Sequence, residues 1–195
     1  ADAVFRNPIW EEQDRGQHEE SWYVDKFVES APEYEADIRE VVRRDPECMH
    51  LYDYAETWVR YLKDKGYHVY ILSNYATDTL ERTEDKLTFL KYVDGAVFSC
   101  QVKQIKPEPE IYKTLLGRYH LDPEKSVFLD DRAEKLGYRM REGQIQKVPY
   151  LLVIGFNEKD NRTVSYRLHG EKDTTGVGLD EFVEKIVDEI KNKVH

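Results

Sequence analysis

The chain has 195 residues, of which 40% are hydrophobic and 35% charged, with a net charge of −10. That length suits one α/β domain with a smaller insertion better than two full domains. No apolar run is long enough to cross a membrane, and the acidic balance argues against a broad nucleic-acid footprint, which needs clustered cations.

The first 65 residues read as helical. SWYVDKFVE and PEYEADIREVV have the spacing of two short amphipathic helices, the second opened by Pro32. In HLYDYAETWVRYLKDKG, Leu51, Ala55, Trp58, Val59 and Leu62 share one face, and Gly66 supplies a stop. Strand-like runs follow at 67–74, 95–100 and 126–131, with helical segments around Thr79–Leu90 and Pro109–Tyr119 between them. This alternation predicts βαβ units and a parallel sheet. A helix near Glu134–Gln146 comes next, then an apolar strand at 148–156, a polar turn, and a strand at 163–170 expected antiparallel to it. The last helix carries Leu179, Phe182, Val183, Ile186, Val187 and Ile190 on one stripe.

Charge is unevenly spread: residues 132–195 hold 12 basic and 11 acidic side chains, against 17 and 28 in residues 1–131. Cys48 and Cys100 are too few for a disulfide framework or a zinc cluster, and the six histidines show no metal-ligand spacing. Reduced thiols and a cytoplasmic or recombinant setting are expected. The Ala-Asp start, with no basic-then-apolar leader after it, reads as a trimmed or engineered chain.

Ligands of parallel sheets bind at the carboxyl ends of strands, and three polar clusters fall there. YILSNYA puts Ser73 and Asn74 past one strand. QIKPEPEIY puts Lys106 in a loop before a helix, and VFLDD supplies Asp130 and Asp131. A hydroxyl, an ammonium and paired carboxylates are what phosphoryl transfer with Mg²⁺ uses. Each cluster alone also suits a turn, a solvated loop or a helix cap; their order is the specific signal. Together they resemble the haloacid dehalogenase (HAD) superfamily over about residues 4–134, with residues 1–65 resembling its helical cap. The resemblance implies a phosphate-binding role for Ser73, Asn74 and Lys106 and a metal-binding role for Asp130 and Asp131.

That family's reaction needs a nucleophilic Asp at the end of a first core strand, with a second Asp two residues on. No apolar strand followed by Asp-x-Asp occurs in these residues; Glu158–Lys159–Asp160 is the nearest pattern and reads as a solvated turn. No catalytic residue is therefore assigned. The five phosphate- and metal-type residues are taken as vestigial, with no cofactor expected beyond weak Mg²⁺.

After the acidic pair the pattern changes. EKLGYRMREGQIQKVPYLLVIG, NEKDNRTVSYRLHG and LDEFVEKIVDEIKN closely resemble the C-terminal anticodon-binding domain of class II aminoacyl-tRNA synthetases, threonyl-tRNA synthetase above all, over about residues 130–195. That resemblance implies RNA contacts by Glu158 and Arg167, beside the plain reading of a charged solvated hairpin.

The expectation is an α/β, three-layer Rossmann-like (HAD-like) protein with a mostly parallel sheet, a helical cap over 1–65 and an antiparallel C-terminal strand. Its core over 66–195 would be HAD-like to 131 and anticodon-domain-like from 132. Strand 149–156 is expected to fill a gap in the parallel sheet or to close beside Asp131. The function expected is that of a chimera without intact catalysis. The alternatives are a residual Mg²⁺-dependent phosphatase or phosphate binder, and a weak RNA-binding module. No certain partner and no membrane are expected, only weak anion or RNA binding and association through unpaired strand edges.

Overall fold

The computed structural model describes residues 2–129, 135–145, 148 and 150–192. They form two compact units, Ala1–Leu121 and Asp122–His195, each with its own apolar core. The α/β class and HAD-like fold expected from the sequence are observed in the mixture of helices with a parallel and an antiparallel sheet.

The first unit opens with α1 (Asp2–Phe5), α2 (Ile9–Arg15), α3 (Glu20–Ser30) and α4 (Glu35–Arg44). Tyr23, Val24 and Phe27 recur at helical spacing on α3, Ile38 and Val42 on α4, and with Val4 they form one buried cluster. Pro32 starts a single 3₁₀ turn that reverses the chain between α3 and α4. Arg39 then reaches back to Asp25 at 3.1 Å, an exposed pair that solvent screens.

Helix α5 (Ala55–Asp64) stops as expected, with Gly66 in a left-handed conformation (φ 84°). Leu51, expected on this face, precedes the helix and is exposed, and the face itself is only partly covered: Val59 is buried, but Trp58 is exposed. The helix rests on the short 3₁₀ segment Thr88–Tyr92, which is too small to cover the whole stripe.

Next come β1 (Tyr70–Ser73), α6 (Thr77–Thr83), β2 (Gly95–Phe98), α7 (Ser99–Val102) and α8 (Pro109–Tyr119). β1 and β2 pair in parallel, Tyr70 opposite Gly95 and Ser73 opposite Phe98. Asp94 anchors the start of the pair, accepting from the Val69 N–H at 2.7 Å, from Lys63 and from His68. Burial opposes the charge of Asp94, but the bonds from Lys63, Val69 and His68 prevail and hold its pKa at about 2. Tyr119 braces β2 from α8, its hydroxyl donating to the Ala96 carbonyl at 3.0 Å and accepting from the Ala96 N–H at 2.9 Å. The strand expected at 95–100 ends at Phe98, and Ser99 begins α7.

The second unit contains α9 (Leu136–Ile145), β3 (Tyr150–Val153), α10 (Phe156–Asn161), β4 (Thr163–Leu168), β5 (Thr175–Gly178) and α11 (Leu179–Asn192). β3, β4 and β5 form an antiparallel sheet in sequence order. Val164, Tyr166 and Phe182 make its core, with Tyr150, Leu168, Leu179 and Ile186 at the margin. Val183 and Val187, placed by periodicity on the same stripe of α11, are exposed. Lys185 lies over the Tyr150 and Tyr166 rings, 5.1 and 4.7 Å from their centroids, and its Nζ donates to both hydroxyls at 3.0 and 3.2 Å.

Two expectations change here. Tyr150–Val153 pairs with β4, so among the described residues it is an edge strand of the antiparallel sheet and fills no gap beside 67–74. Four apolar residues flanked by a helix on the carboxyl side found an antiparallel partner only a few residues away, and local pairing closes a far shorter loop. Residues 126–129 join no ladder among the described residues, and Val127 is 95% exposed. Among the described residues no helix is long and apolar enough to cross a membrane.

A Cβ placed on Gly95 would lie 2.2 Å from the Tyr119 ring, so Gly95→Ala is expected to expel that ring and destabilise the protein by about 1–3 kcal/mol. The same substitution in a Tyr119→Ala background should cost much less. Chemical denaturation of the four proteins in the cycle measures the difference.

Candidate functional site

The carboxyl ends of β1 and β2 bring together residues from four stretches of the first unit. Ser73 ends β1, and its hydroxyl donates to the Asn74 carbonyl at 3.3 Å. Asn74 is the fixed point of the site: its Oδ1 accepts from the Lys106 N–H at 2.7 Å, and its Nδ2 donates to the Lys106 carbonyl at 3.0 Å. One amide side chain thereby satisfies both backbone groups of a residue 32 positions away, as a strand partner would. The Lys106–Pro107 peptide is cis, and Pro109 is the first residue of α8. Ser73–Asn74 and Lys106, two of the three polar clusters expected at strand ends, are thus joined through the Lys106 backbone.

Ser99, at the end of β2, is completely buried. Its hydroxyl accepts from the Tyr75 N–H at 2.8 Å and donates to the Asp14 carbonyl at 2.6 Å. It joins the turn after Asn74 to the last turn of α2. Arg15, next along, forks onto the Glu108 carboxylate, with one arm at 2.9 Å and the other on the second oxygen. That pairing draws the Glu108 carboxyl below the usual range, the hydrogen bonds from Arg15 being the main cause. Asp14 behaves oppositely. Burial, followed by the negative charges of Asp45 and Glu11, outweighs the attraction of Lys106 and lifts its carboxyl to about 7. Asp14, Arg15 and Ser99 belong to no pattern singled out from the sequence. A DRG tripeptide ending a helix and a Ser after a strand carry no chemical signature until the fold packs them together.

Asp130 and Asp131 lie outside the described residues. Among the described residues no group of three His, Cys, Asp or Glu side chains is placed to hold a metal ion, so these residues alone do not make a cation site.

In the second unit, Glu158 falls on α10 and not in a turn. Its carboxylate accepts from the Gly155 N–H and from Ser165 Oγ, both at 2.9 Å, closing the start of the helix. Those bonds, that from the Gly155 N–H first, hold its pKa below the ordinary value. Arg167 sits on β4, its Nη2 donating to Thr174 Oγ1 at 3.2 Å, while its buried Nε–H has no hydrogen-bond partner among the described residues. It lines a shallow cleft of about 270 Å³ with Leu136, Met140, Arg141 and Gln144. No bond joins Glu158 to Arg167 among the described residues: one carboxylate is spent on its own helix, while the guanidinium faces the cleft.

Two family models match the chain. That described as haloacid dehalogenase-like hydrolase covers residues 6–136, and that described as anticodon binding domain covers residues 120–189. The matches overlap around the Asp130–Asp131–Arg132 run. The threonine–tRNA ligase of Geobacillus kaustophilus (strain HTA426) is 39% identical over 100 residues, 48% of this chain and 15% of that protein. That of Staphylococcus aureus (strain JH9) is 48% identical over 69 residues, 35% of this chain and 11% of that protein. The chain thus spans under a fifth of the length of these ligases. Among solved structures, a HAD family enzyme from Bacteroides thetaiotaomicron aligns with a TM-score of 0.52 at 22% identity over 69% of either chain, a likeness of fold alone.

Asn74→Ala should leave the Lys106 N–H and C=O without their partner and cost about 1–3 kcal/mol. Asn74→Asp should recover less than half, because a carboxylate accepts from the N–H but cannot donate to the C=O. Thermal unfolding of both variants at neutral pH checks this.

Proposed function

The chain belongs to the haloacid dehalogenase-like hydrolase family, and from that premise we propose that its first unit binds an oxyanion of the phosphate class without turning over a phosphate ester. The supporting observation is the double hydrogen bond between Asn74 and the Lys106 backbone, which holds the main chain of Lys106 beside the end of β1, where Ser73 and Asn74 lie. Ser73 Oγ and the Lys106 ammonium serve the anion as donor and counter-charge. These 195 residues hold no strand followed by Asp-x-Asp, and the attacking carboxylate is the part the chemistry lacks. Asp130 and Asp131 match in sequence the acidic residues that hold a metal in that family, and lie outside the described residues. The meeting of two families at the Asp130–Asp131–Arg132 run is the mark of a recombined chain.

A Mg²⁺-dependent phosphomonoesterase assay on the full chain should give no turnover above buffer, while inorganic phosphate should bind and Lys106→Ala should weaken that binding about tenfold or more. Turnover that disappears in Asp130→Asn would overturn the reading by exposing a working hydrolase.

The second unit favours a separate reading, weak RNA binding, because the Arg167 guanidinium lines a cleft with its Nε–H unsatisfied. Glu158 already accepts from Gly155 and Ser165, so the reading leans on Arg167 before Glu158. Threonine tRNA is expected to bind weakly at low salt and to release as salt rises, with Arg167→Ala removing part of the affinity. A titration showing no binding at any salt concentration dismisses this reading.

A further inference from the structure

Lys106 is the second residue of a four-residue turn, Ile105–Glu108, that the fold closes at several points. The Glu108 N–H donates to the Ile105 carbonyl at 2.9 Å, and the Glu108 carboxylate accepts from the Ile105 N–H at 3.3 Å. Glu108 thus shuts the turn with both its main chain and its side chain. Ile105 is buried, and Asn74 grips the Lys106 main chain from the end of β1. Only Pro107 stands between Lys106 and Glu108. Its ring fixes φ, so few torsions separate the residue that carries the ammonium from the residue that closes the turn.

The Glu108 side chain is 36% exposed and could turn to solvent if nothing held its far side. Arg15 holds it. Nη1 donates to one carboxylate oxygen at 2.9 Å and Nη2 to the other, a planar fork that sets direction as well as distance. The bonds from Arg15 are the main reason the Glu108 carboxyl lies below its usual range. Arg15 is itself aimed by its neighbours. The Asp14 carbonyl accepts from the Ser99 hydroxyl at 2.6 Å, and the Gly16 carbonyl accepts from Lys103 Nζ. Gly16 takes a left-handed φ of 64° so close to α6 that a Cβ there would lie 2.7 Å from Thr77 Oγ1. The end of α2 is therefore registered against Ser99 and Lys103, and Arg15 carries that register on to the Lys106 turn.

We propose that Arg15 is a positioning residue of the anion site: acting through Glu108, it holds the Ile105–Glu108 turn where Lys106 can meet the anion. This rests on the phosphate-site reading above. Arg15 does not bind the anion itself, because its charge is committed to Glu108 and, through Nε at 3.3 Å, to Glu12. One consequence is particular to this role. Neutralising Glu108 releases the Arg15 guanidinium and yet weakens the site, whereas an arginine that bound the anion directly would then bind it better.

Calorimetric titration of the full chain with inorganic phosphate at neutral pH tests this. Arg15→Ala should weaken binding about fivefold. Glu108→Gln, which breaks the fork, should act in the same direction, and the double variant should lose no more than the worse single one. Arg15→Lys keeps the charge without the fork and should recover only part of the loss. In a Lys106→Ala background, Arg15→Ala should alter the remaining affinity by less than about twofold while lowering the melting temperature as it does in wild type. A general loosening of the fold would instead cost affinity equally in both backgrounds, and that result overturns the proposal. So does tighter or unchanged binding by Glu108→Gln, with the anion site left standing. Absence of phosphate binding by wild type removes the site reading and this proposal together. If Arg15→Ala fails to fold, the near-isosteric Glu108→Gln decides.

Discussion

The Ser99 hydroxyl is the bond on which the arrangement of the first unit turns. It is fully buried, so each of its hydrogen-bonding directions must find a partner inside the protein. It finds Tyr75 on the turn after β1 and Asp14 at the end of α2. A single oxygen therefore registers a helix of the opening segment against the ends of both parallel strands. Asn74 extends the same frame sideways to Lys106, and Arg15 extends it to Glu108. Every polar group of the candidate site is a neighbour of this frame.

The protein divides its stabilisation between two independent kinds of core. In the first unit the helices α1–α4 seal their own cluster around Phe27, while the parallel pair, two strands wide among the described residues, relies on two braces, Asp94 at its start and Tyr119 at Ala96. In the second unit a three-stranded antiparallel sheet takes α11 on one face through Val164, Tyr166 and Phe182. The two family matches meet near the boundary between these units.

Much of this was legible beforehand. The buried positions Tyr23, Val24 and Phe27 lie within a run whose periodicity marks a helix, and Gly66 and Pro109 mark helix ends by backbone conformation alone. Ser73, Asn74 and Lys106 could be grouped because strand ends in a parallel sheet share one edge. What escaped notice depends on tertiary placement. α10 hides in the polar run FNEKDN, and its start is closed by Glu158 reaching back to Gly155, a bond invisible in composition. β5 reads TGVG, with one partly buried side chain, and exists through backbone pairing to β4. Asp14 was unmarked because a carboxyl's proton affinity is set by what surrounds it, not by its neighbours in sequence. Trp58, Val183 and Val187 show the opposite failure, where a clean apolar stripe has too little partner surface to be buried, and Leu51 lies before the helix it was expected to join.

The contacts that assemble the candidate site span long stretches of chain: Asp14 meets Ser99 across 85 positions and Arg15 meets Glu108 across 93. The antiparallel sheet of the second unit, by contrast, joins strands that follow one another. Closing a long loop costs chain entropy before any contact compensates it. The expected order of folding is therefore the second unit and the α1–α4 cluster first, with the DRG turn docking last. A ligand held between the Ser73–Asn74 turn and the Lys106 loop would then act as a kinetic clamp, slowing escape from the native state by holding together segments far apart in the chain.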